Sequence, residues 1–272
     1  MSIGVLYESK EWSSFVLKKY IEELGVSCEL IDLQEDVKIE EITKHKLIVN
    51  RIFASSVFRM HKEALDKMPE IINIIEDKGI PLFNEGKAHF FEIDKRYATE
   101  FLHSNNIPAP KILNEPSYPM IIKPNCGGRT TYTFVVRDKE TFEGLELPDM
   151  DMLMEEYVEP TKGFVTRVEI IGGEIFSVMK RSVTSDGLSA YHLGSKYEHY
   201  YDCQGEILES CKNAAKLMGI FCGSMDVIES EGRFAIIDVN SVSNASEDNI
   251  EEFGFDLMLE MAKYIVKEYL KE

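Results

Sequence analysis

The stretch SMDVIESEGRFAIIDVN, residues 224–240, reads as two strands joined by a tight turn at Ser230-Glu231-Gly232. Met225, Val227 and Ile228 flank Asp226, and the run Phe234-Ala235-Ile236-Ile237 leads into Asp238. A carboxylate among such residues is costly to bury unless a positive group meets it. Asp226, Asp238 and Asn240 offer two carboxylates and an amide oxygen from adjacent strand ends. That is a hard-cation set of the kind Mg²⁺ takes when substrate phosphates supply further oxygens. Taken alone, the hairpin is better read as an ordinary one whose acids sit in water. What changes that reading lies upstream.

The chain's 272 residues suffice for one complex domain or for two to three lobes. A hydrophobic share of 44% with 10% aromatics is globular. The net charge of −18, from 48 acids against 30 bases, argues against nucleic acid or an anionic membrane as a general partner. A local phosphate site survives that argument. The opening MSIGVLYESK has neither the basic nor the apolar region of a signal peptide, and no apolar run approaches the length of a membrane span. Cys28, Cys126, Cys203, Cys211 and Cys222 are odd in number, scattered and without a CxxC pair. They fit free thiols in a reducing cytoplasm. The histidines do not pair with them at zinc-ligand spacing.

Upstream, residues 3–7 form an apolar strand, followed by a helix with Leu17, Tyr20, Ile21 and Leu24 at helical spacing. Ser13 or Ser14 is its expected cap and Gly25 its end. Strands follow at 28–33, 47–49 and 79–83, with a helical stretch at 60–77 in which Pro69 marks a break or a new start. This alternation predicts an α/β unit with a mostly parallel sheet over residues 1–84. The glycine fingerprint of a dinucleotide fold is missing. Residues 86–105 read as one helix, stopped by Asn106-Ile107-Pro108-Ala109-Pro110, a candidate boundary. Strands at 119–123 and 131–137 bracket the loop Pro124-Asn125-Cys126-Gly127-Gly128-Arg129. Residues 164–171 and 174–181 make a hairpin through Gly172-Gly173. Residues 182–202 are polar and irregular, 206–218 are helical, and the final helix at 255–270 turns an apolar face to the core.

Several side chains in these elements could carry chemistry. Lys123 ends an apolar strand before a loop with paired glycines, which suits phosphate gripping by an ammonium and backbone N–H groups. The alternative is a solvated lysine in a hairpin turn. Lys95, in a charged helix with Glu92, Asp94 and Arg96, reads by itself as surface ion pairing. Glu155-Glu156-Tyr157-Val158 leaves a strand end, where backbone groups can pair with an adenine edge; acids in water are the alternative. Arg167 and Arg181, on neighbouring strands, could clamp a carboxylate or phosphate, or else pair with Glu169 or Glu174.

In this order the pieces resemble the ATP-grasp superfamily, and within it the RimK/LysX-type carboxylate–amine ligases. The similarity covers nearly the whole chain. Asn50-Arg51-Ile52 and Pro81-Leu82-Phe83-Asn84 look like the end of the family's small first domain. Asp94-Lys95 before Asn106-Ile107-Pro108-Ala109-Pro110, and Ile122-Lys123-Pro124 with Gly127-Gly128, look like its two lysines and glycine loop. Glu155 to Val158 occupy the adenine hinge, Arg167 and Arg181 match the paired arginines, and Asp226 with Asp238-Val239-Asn240 matches the metal ligands. No single motif is diagnostic; this many in register are hard to obtain by accident. Three departures stand out. Val165 takes the place of an acid, Asp238 replaces the usual glutamate, and Ser189-Ala190-Tyr191-His192-Leu193-Gly194-Ser195 replaces the glycine-rich substrate loop.

The resemblance implies an α/β architecture with α+β lobes: a small N-terminal domain (1–84), a central lobe carrying the glycine loop (85–157) and a C-terminal lobe carrying the metal site (158–272). It implies ATP on Lys95, Lys123, Gly127, Gly128, Glu155, Glu156, Tyr157 and Val158. One or two Mg²⁺ ions, with Mn²⁺ able to substitute, would sit on Asp226, Asp238 and Asn240. A carboxylate would attack the γ-phosphate and an amine would displace phosphate from the acyl phosphate, with Arg181, and more weakly Arg167, stabilising the charge. Arg129, Tyr191, His192 and Lys196 are the residues expected near substrate. Small-molecule or peptide acids and amines are the expected partners in a cytoplasmic enzyme, without nucleic acid or membrane, and homo-oligomerisation is open. Two rivals are a phosphotransferase of the same fold and a nucleotide-binding regulator without turnover.

Overall fold

In the computed structural model, which describes residues 2–271 apart from the side chain of Tyr191, strand β1 (Ile3–Tyr7) is buried at every position. A strand covered on both faces needs an unbroken apolar run, which IGVLY supplies. It pairs in parallel with β2 (Cys28–Asp32) and β3 (Leu47–Arg51), and β4 (Leu82–Phe83) extends the sheet to the order β2-β1-β3-β4. Helices α1 (Trp12–Glu23), α2 (Ile39–Thr43) and α3 (Lys62–Asp77) make the connections. Pro69 lies inside α3 and does not end it. The buried face Ala64, Leu65, Met68, Ile71, Ile72 and Ile75 runs straight past it, so packing outweighs the missing backbone donor. A 3-10 turn, Ala54–Arg59, precedes that helix.

The expected helix at 86–105 is two helices, α4 (Gly86–Ile93) and α5 (Lys95–Ser104). Asp94 between them is extended, with φ −132° and ψ 94°, and its Oδ1 accepts from the Tyr97 N–H at 2.8 Å. An aspartate in that role is a strong N-cap, so the chain restarts a helix with Lys95 as its first residue. A three-stranded sheet, β6-β5-β7, follows from β5 (Met120–Pro124), β6 (Phe134–Val136) and β7 (Met152–Glu156), with α6 (Lys139–Glu143) between the last two. β6 is shorter than the expected 131–137 because Tyr132 has φ of 52°, outside the strand region.

The third sheet is antiparallel, in the order β10-β9-β8-β11-β12. Its strands are β8 (Phe164–Ile171), β9 (Glu174–Ser182), β10 (Tyr197–His199), β11 (Cys222–Ser230) and β12 (Arg233–Asn240). Part of the segment expected to be irregular is thus ordered as β10. α7 (Gly205–Met218), α8 (Asp248–Phe253) and α9 (Leu257–Lys271) complete the fold.

Sheets and their covering helices do not follow the same cuts in the chain. α4 and α5 place Phe91, Ala98 and Leu102 in one core with Val168, Met225, Ile236 and Val239 of the five-stranded sheet. α9 returns to the N-terminal sheet, where Met258, Met261 and Ile265 pack with Ile3, Val5 and Leu17. The buried Asn84 stitches the two together: its Nδ2 donates to the Cys222 and Ser241 carbonyls at 2.9 and 2.7 Å, and its Oδ1 accepts from Phe221 and Cys222 N–H. Among the described residues no helix is long and apolar enough to cross a membrane.

Candidate active site

Strand register brings the acids and one arginine together. Asp226 lies opposite Asp238 across β11 and β12 and opposite Arg167 across β11 and β8. Asn240 pairs with Ser224, and alternation returns both to the Asp226 face. Arg181, opposite Val165 on β9, is two residues further along. The register then steps from Asp226–Asp238 to Val227–Ile236, leaving Ile237 as the extra residue of a bulge. Its carbonyl accepts from Lys123 Nζ at 2.9 Å.

Each buried charge in this cluster has a counter-charge. Arg181 donates to Asp226 Oδ2 at 2.7 Å and Arg167 to Oδ1 at 3.3 Å. Arg167 also donates to Glu169 Oε1 at 2.6 Å, and Arg181 to Ser189 Oγ at 2.9 Å. Burial pushes the Asp226 carboxyl up, but Arg181 and Arg167 together outweigh it and hold it below the usual aspartate value. Desolvation opposes the charge on both arginines, and the surrounding acids more than restore it. Lys95 pairs with Asp238, and against its own burial that acid raises the Lys95 ammonium.

The two lysines arrive from different elements. Lys123 ion-pairs with the buried Glu155 at 2.8 Å, and Thr99 donates to the other Glu155 oxygen at 2.9 Å. Asn125 links the lysines: its carbonyl accepts from the Lys95 N–H at 3.0 Å and its Oδ1 from the Arg96 N–H at 2.8 Å. The start of α5 is therefore pinned to the end of β5.

A cleft of about 830 Å³, open to solvent, lies between the central and C-terminal sheets, walled by Lys95, Lys123, Gly127, Gly128 and residues 155–158. Val158 and Val165, both buried, give it apolar surface. The Glu156 side chain turns away to a two-pronged pair with Arg233, at 3.0 and 3.2 Å, while Tyr157 Oη donates to the Gly187 carbonyl at 3.1 Å. A second cleft, of about 1610 Å³, is lined by Trp12, Arg167, Tyr197, Asn240, Asn249 and Phe253 among others. Gly128, Arg129, Thr130, Arg181, Ser189, Asp226 and Asp238 border both clefts, so the two meet at the charged cluster.

Of the residues expected near substrate, Arg129 and His192 line the second cleft. Lys196 is exposed and lines neither; beside it, Tyr197 turns to the cleft instead. The Tyr191 side chain lies outside the described residues. Cys126, beside the paired glycines, has a thiol pushed up to about 11 by burial, which leaves no reactive thiolate there.

Sequence reasoning passed over three residues that shape this site. Glu92 looked like surface decoration but is buried, its Oε2 accepting from the Ser241 N–H at 2.7 Å just beyond Asn240. Burial raises its carboxyl above the ordinary value. The signal was its place inside the apolar run His89-Phe90-Phe91-Glu92-Ile93. Asn125 and Ser189 were met only as members of loops, with nothing in their residue type to single them out.

The donor chemistry fits a divalent cation. Two carboxylates and an amide oxygen share one sheet face, the hard oxygen donors such a cation takes. Among the described residues no three His, Cys, Asp or Glu side chains group as a metal site, so the third ligand here would be the amide.

A family model described as a RimK-like ATP-grasp domain matches residues 99–265. The chain is 23% identical, over 216 residues, to a probable alpha-L-glutamate ligase of Pasteurella multocida (strain Pm70); the match covers 73% of this chain and 68% of that one. Its fold is similar to that of the ATP-grasp ligase PsnB complexed with minimal precursor, with a TM-score of 0.72 at 16% identity, covering 98% of this chain and 99% of PsnB. A PsnB structure with a phosphomimetic precursor variant, Mg and ADP gives a TM-score of 0.71 at 16% identity, covering 99% of each chain.

Proposed function

The chain belongs to the RimK-like ATP-grasp family of ATP-dependent ligases, and from that premise we propose that it joins a carboxylic acid to an amine at the meeting point of its two clefts. ATP would lie in the first cleft, its adenine edge against the backbone of residues 156–158 and its phosphates toward Lys95 and Lys123. The acid and the amine would enter by the second. The observation that carries this reading is the shared border: Arg181, Asp226 and Asp238 face both compartments.

The chemistry follows from what these side chains can hold. The substrate carboxylate attacks the γ-phosphorus; an O–P bond forms, the bond to the β-phosphate oxygen breaks, and ADP leaves. The amine then adds to the acyl carbon, loses its proton, and phosphate departs with the C–O bond electrons. Arg181 is placed to balance charge on the transferring phosphoryl group and later on the tetrahedral oxyanion. Arg167, held by Glu169 and Asp226, orients Arg181's partner and contributes less directly. Asp226, Asp238 and Asn240 would hold one or two Mg²⁺ ions, or Mn²⁺, which neutralise phosphate charge when bound. A triphosphate that draws Lys95 to itself uncovers Asp238, so nucleotide and cation are best bound together.

Acids and amines at the end of a peptide, as well as free amino acids, suit the wide second cleft. The mechanism is tested with an acid whose carboxylate carries ¹⁸O. Acyl-phosphate chemistry transfers one labelled oxygen to the released phosphate. Unlabelled phosphate, or phosphate retained on the product, contradicts it and favours hydrolysis or a phosphotransferase.

A further inference from the structure

The loop between β5 and β6 leans on the N-terminal domain along its length. Cys126 Sγ lies 3.7 Å from the Ala54 carbonyl. Gly127 has φ +155°, and a β-carbon there would come within 2.6 Å of the Phe58 ring. Its neighbour Gly128 faces Ser55. Further along, the Tyr132 ring meets Phe58 edge-on, with centroids 5.9 Å apart. Arg129 pairs with Glu11, whose other oxygen accepts from Asn244 Nδ2 at 3.0 Å. From the opposite side, Thr130 Oγ1 and His192 Nε2 are 3.4 Å apart. Arg129, Thr130 and Tyr132 are all left-handed. Residues with a β-carbon hold that conformation when their surroundings fix it.

We infer that Phe58 and Glu11 are positioning residues that latch the glycine loop shut over the transferring phosphate, an inference that rests on the ligase reading. Phe58 comes from the 3-10 turn and Glu11 from the start of α1, so the latch belongs to the N-terminal domain. Its purpose is to keep water from the acyl phosphate. With the latch open, water adds to the acyl carbon in place of the amine. The C–O bond to phosphate breaks, free acid and phosphate are released, and one ATP is converted to ADP without an amide being made.

Limited trypsin digestion of the full chain tests the latch without turnover, because Arg129, whose side chain is 55% exposed, is a cleavage site in the loop. Phe58→Ala and Tyr132→Ala each remove one ring of the pair, and Glu11→Gln removes the charge partner. Mass spectrometry should show the fragment ending at Arg129 appearing about two- to tenfold faster in the ring variants, the range that loss of one aromatic pair implies. The same variants should form more ADP per amide than wild type, with a smaller change in KM for the amine. Phe58→Tyr should restore both. Tyr132 is 48% exposed, so Tyr132→Ala decides the question if Phe58→Ala does not fold. Wild-type cleavage and wild-type ADP-to-amide ratios in the folded variants overturn the latch. ADP release by wild type that ignores acid and amine overturns the ligase reading instead, and leaves the cleavage result standing.

Discussion

Asp226 is a buried acid between two buried arginines, and its removal should be felt in stability as well as in activity. Asp226→Asn keeps the shape but leaves Arg167 and Arg181 without the charge that both share. Breaking a buried pair in this way costs about 3–5 kcal/mol, read from denaturant or thermal unfolding. The pH dependence has a definite sign. The native carboxyl titrates below its ordinary value of about 3.9, so the unfolded chain takes up the proton first as pH falls. Wild type's advantage over Asp226→Asn is therefore complete well above about pH 4, shrinks as pH falls below that, and is lost once pH has dropped through the native pKa. A gap that narrows at neutral pH instead would contradict the assignment. At this scale the hairpin was legible but its acids only in part: alternation from the turn would put Asp226 opposite Ile237 and Asp238 on the other face, and it is the bulge at Ile237, which the sequence does not announce, that sets Asp226 opposite Asp238 with Asn240 on the same face. Glu155 was not. Its type suggested a hinge residue in water, whereas its partner Lys123 and its donor Thr99 come from two other elements that no local pattern identifies.

Among the elements, the break between α4 and α5 matters most for function. A helix through residues 86–105 would carry Lys95 on an ordinary helical face; the cap at Asp94 makes it the first residue of a new helix, beside the Asn125 carbonyl. Asp94→Ala should lower stability by about 1 kcal/mol, the usual value of such a cap, and should raise KM for ATP as Lys95 loses its fixed origin. A melting curve and an ATP titration check the two effects; lowered stability with unchanged KM would separate the cap from the site. The sequence carried the cue, since Asp94 followed by Lys-Arg-Tyr is a plausible helix start, but the apolar spacing continues across the break and hides it. Pro69 misleads in the opposite sense, because a buried face on either side keeps α3 whole. The hairpin of β8 and β9 was plain from Gly172-Gly173 between two β-rich runs, while β10 depends on β9 as a template and leaves little local signal.

On the scale of the whole molecule, the site exists only because two sheets and one helix converge. Lys123 comes from one sheet, the acids and arginines from another, and Lys95 from a helix that packs on the second while being pinned to the first. The order of motifs along the chain suggested that convergence; the return of α9 to the N-terminal sheet, and the seat of the glycine loop against Phe58, are long-range contacts that periodicity does not encode. Acid, amine and ATP are proposed to react at this one junction. The most direct measurement is ADP release from wild type and Asp238→Ala across a panel of acid and amine pairs. For the right pair, ADP release should continue beyond a single turnover only when both acid and amine are present, and should be lost in Asp238→Ala. Equal release by the two proteins, or sustained release indifferent to the amine, would exclude this junction as the site of reaction.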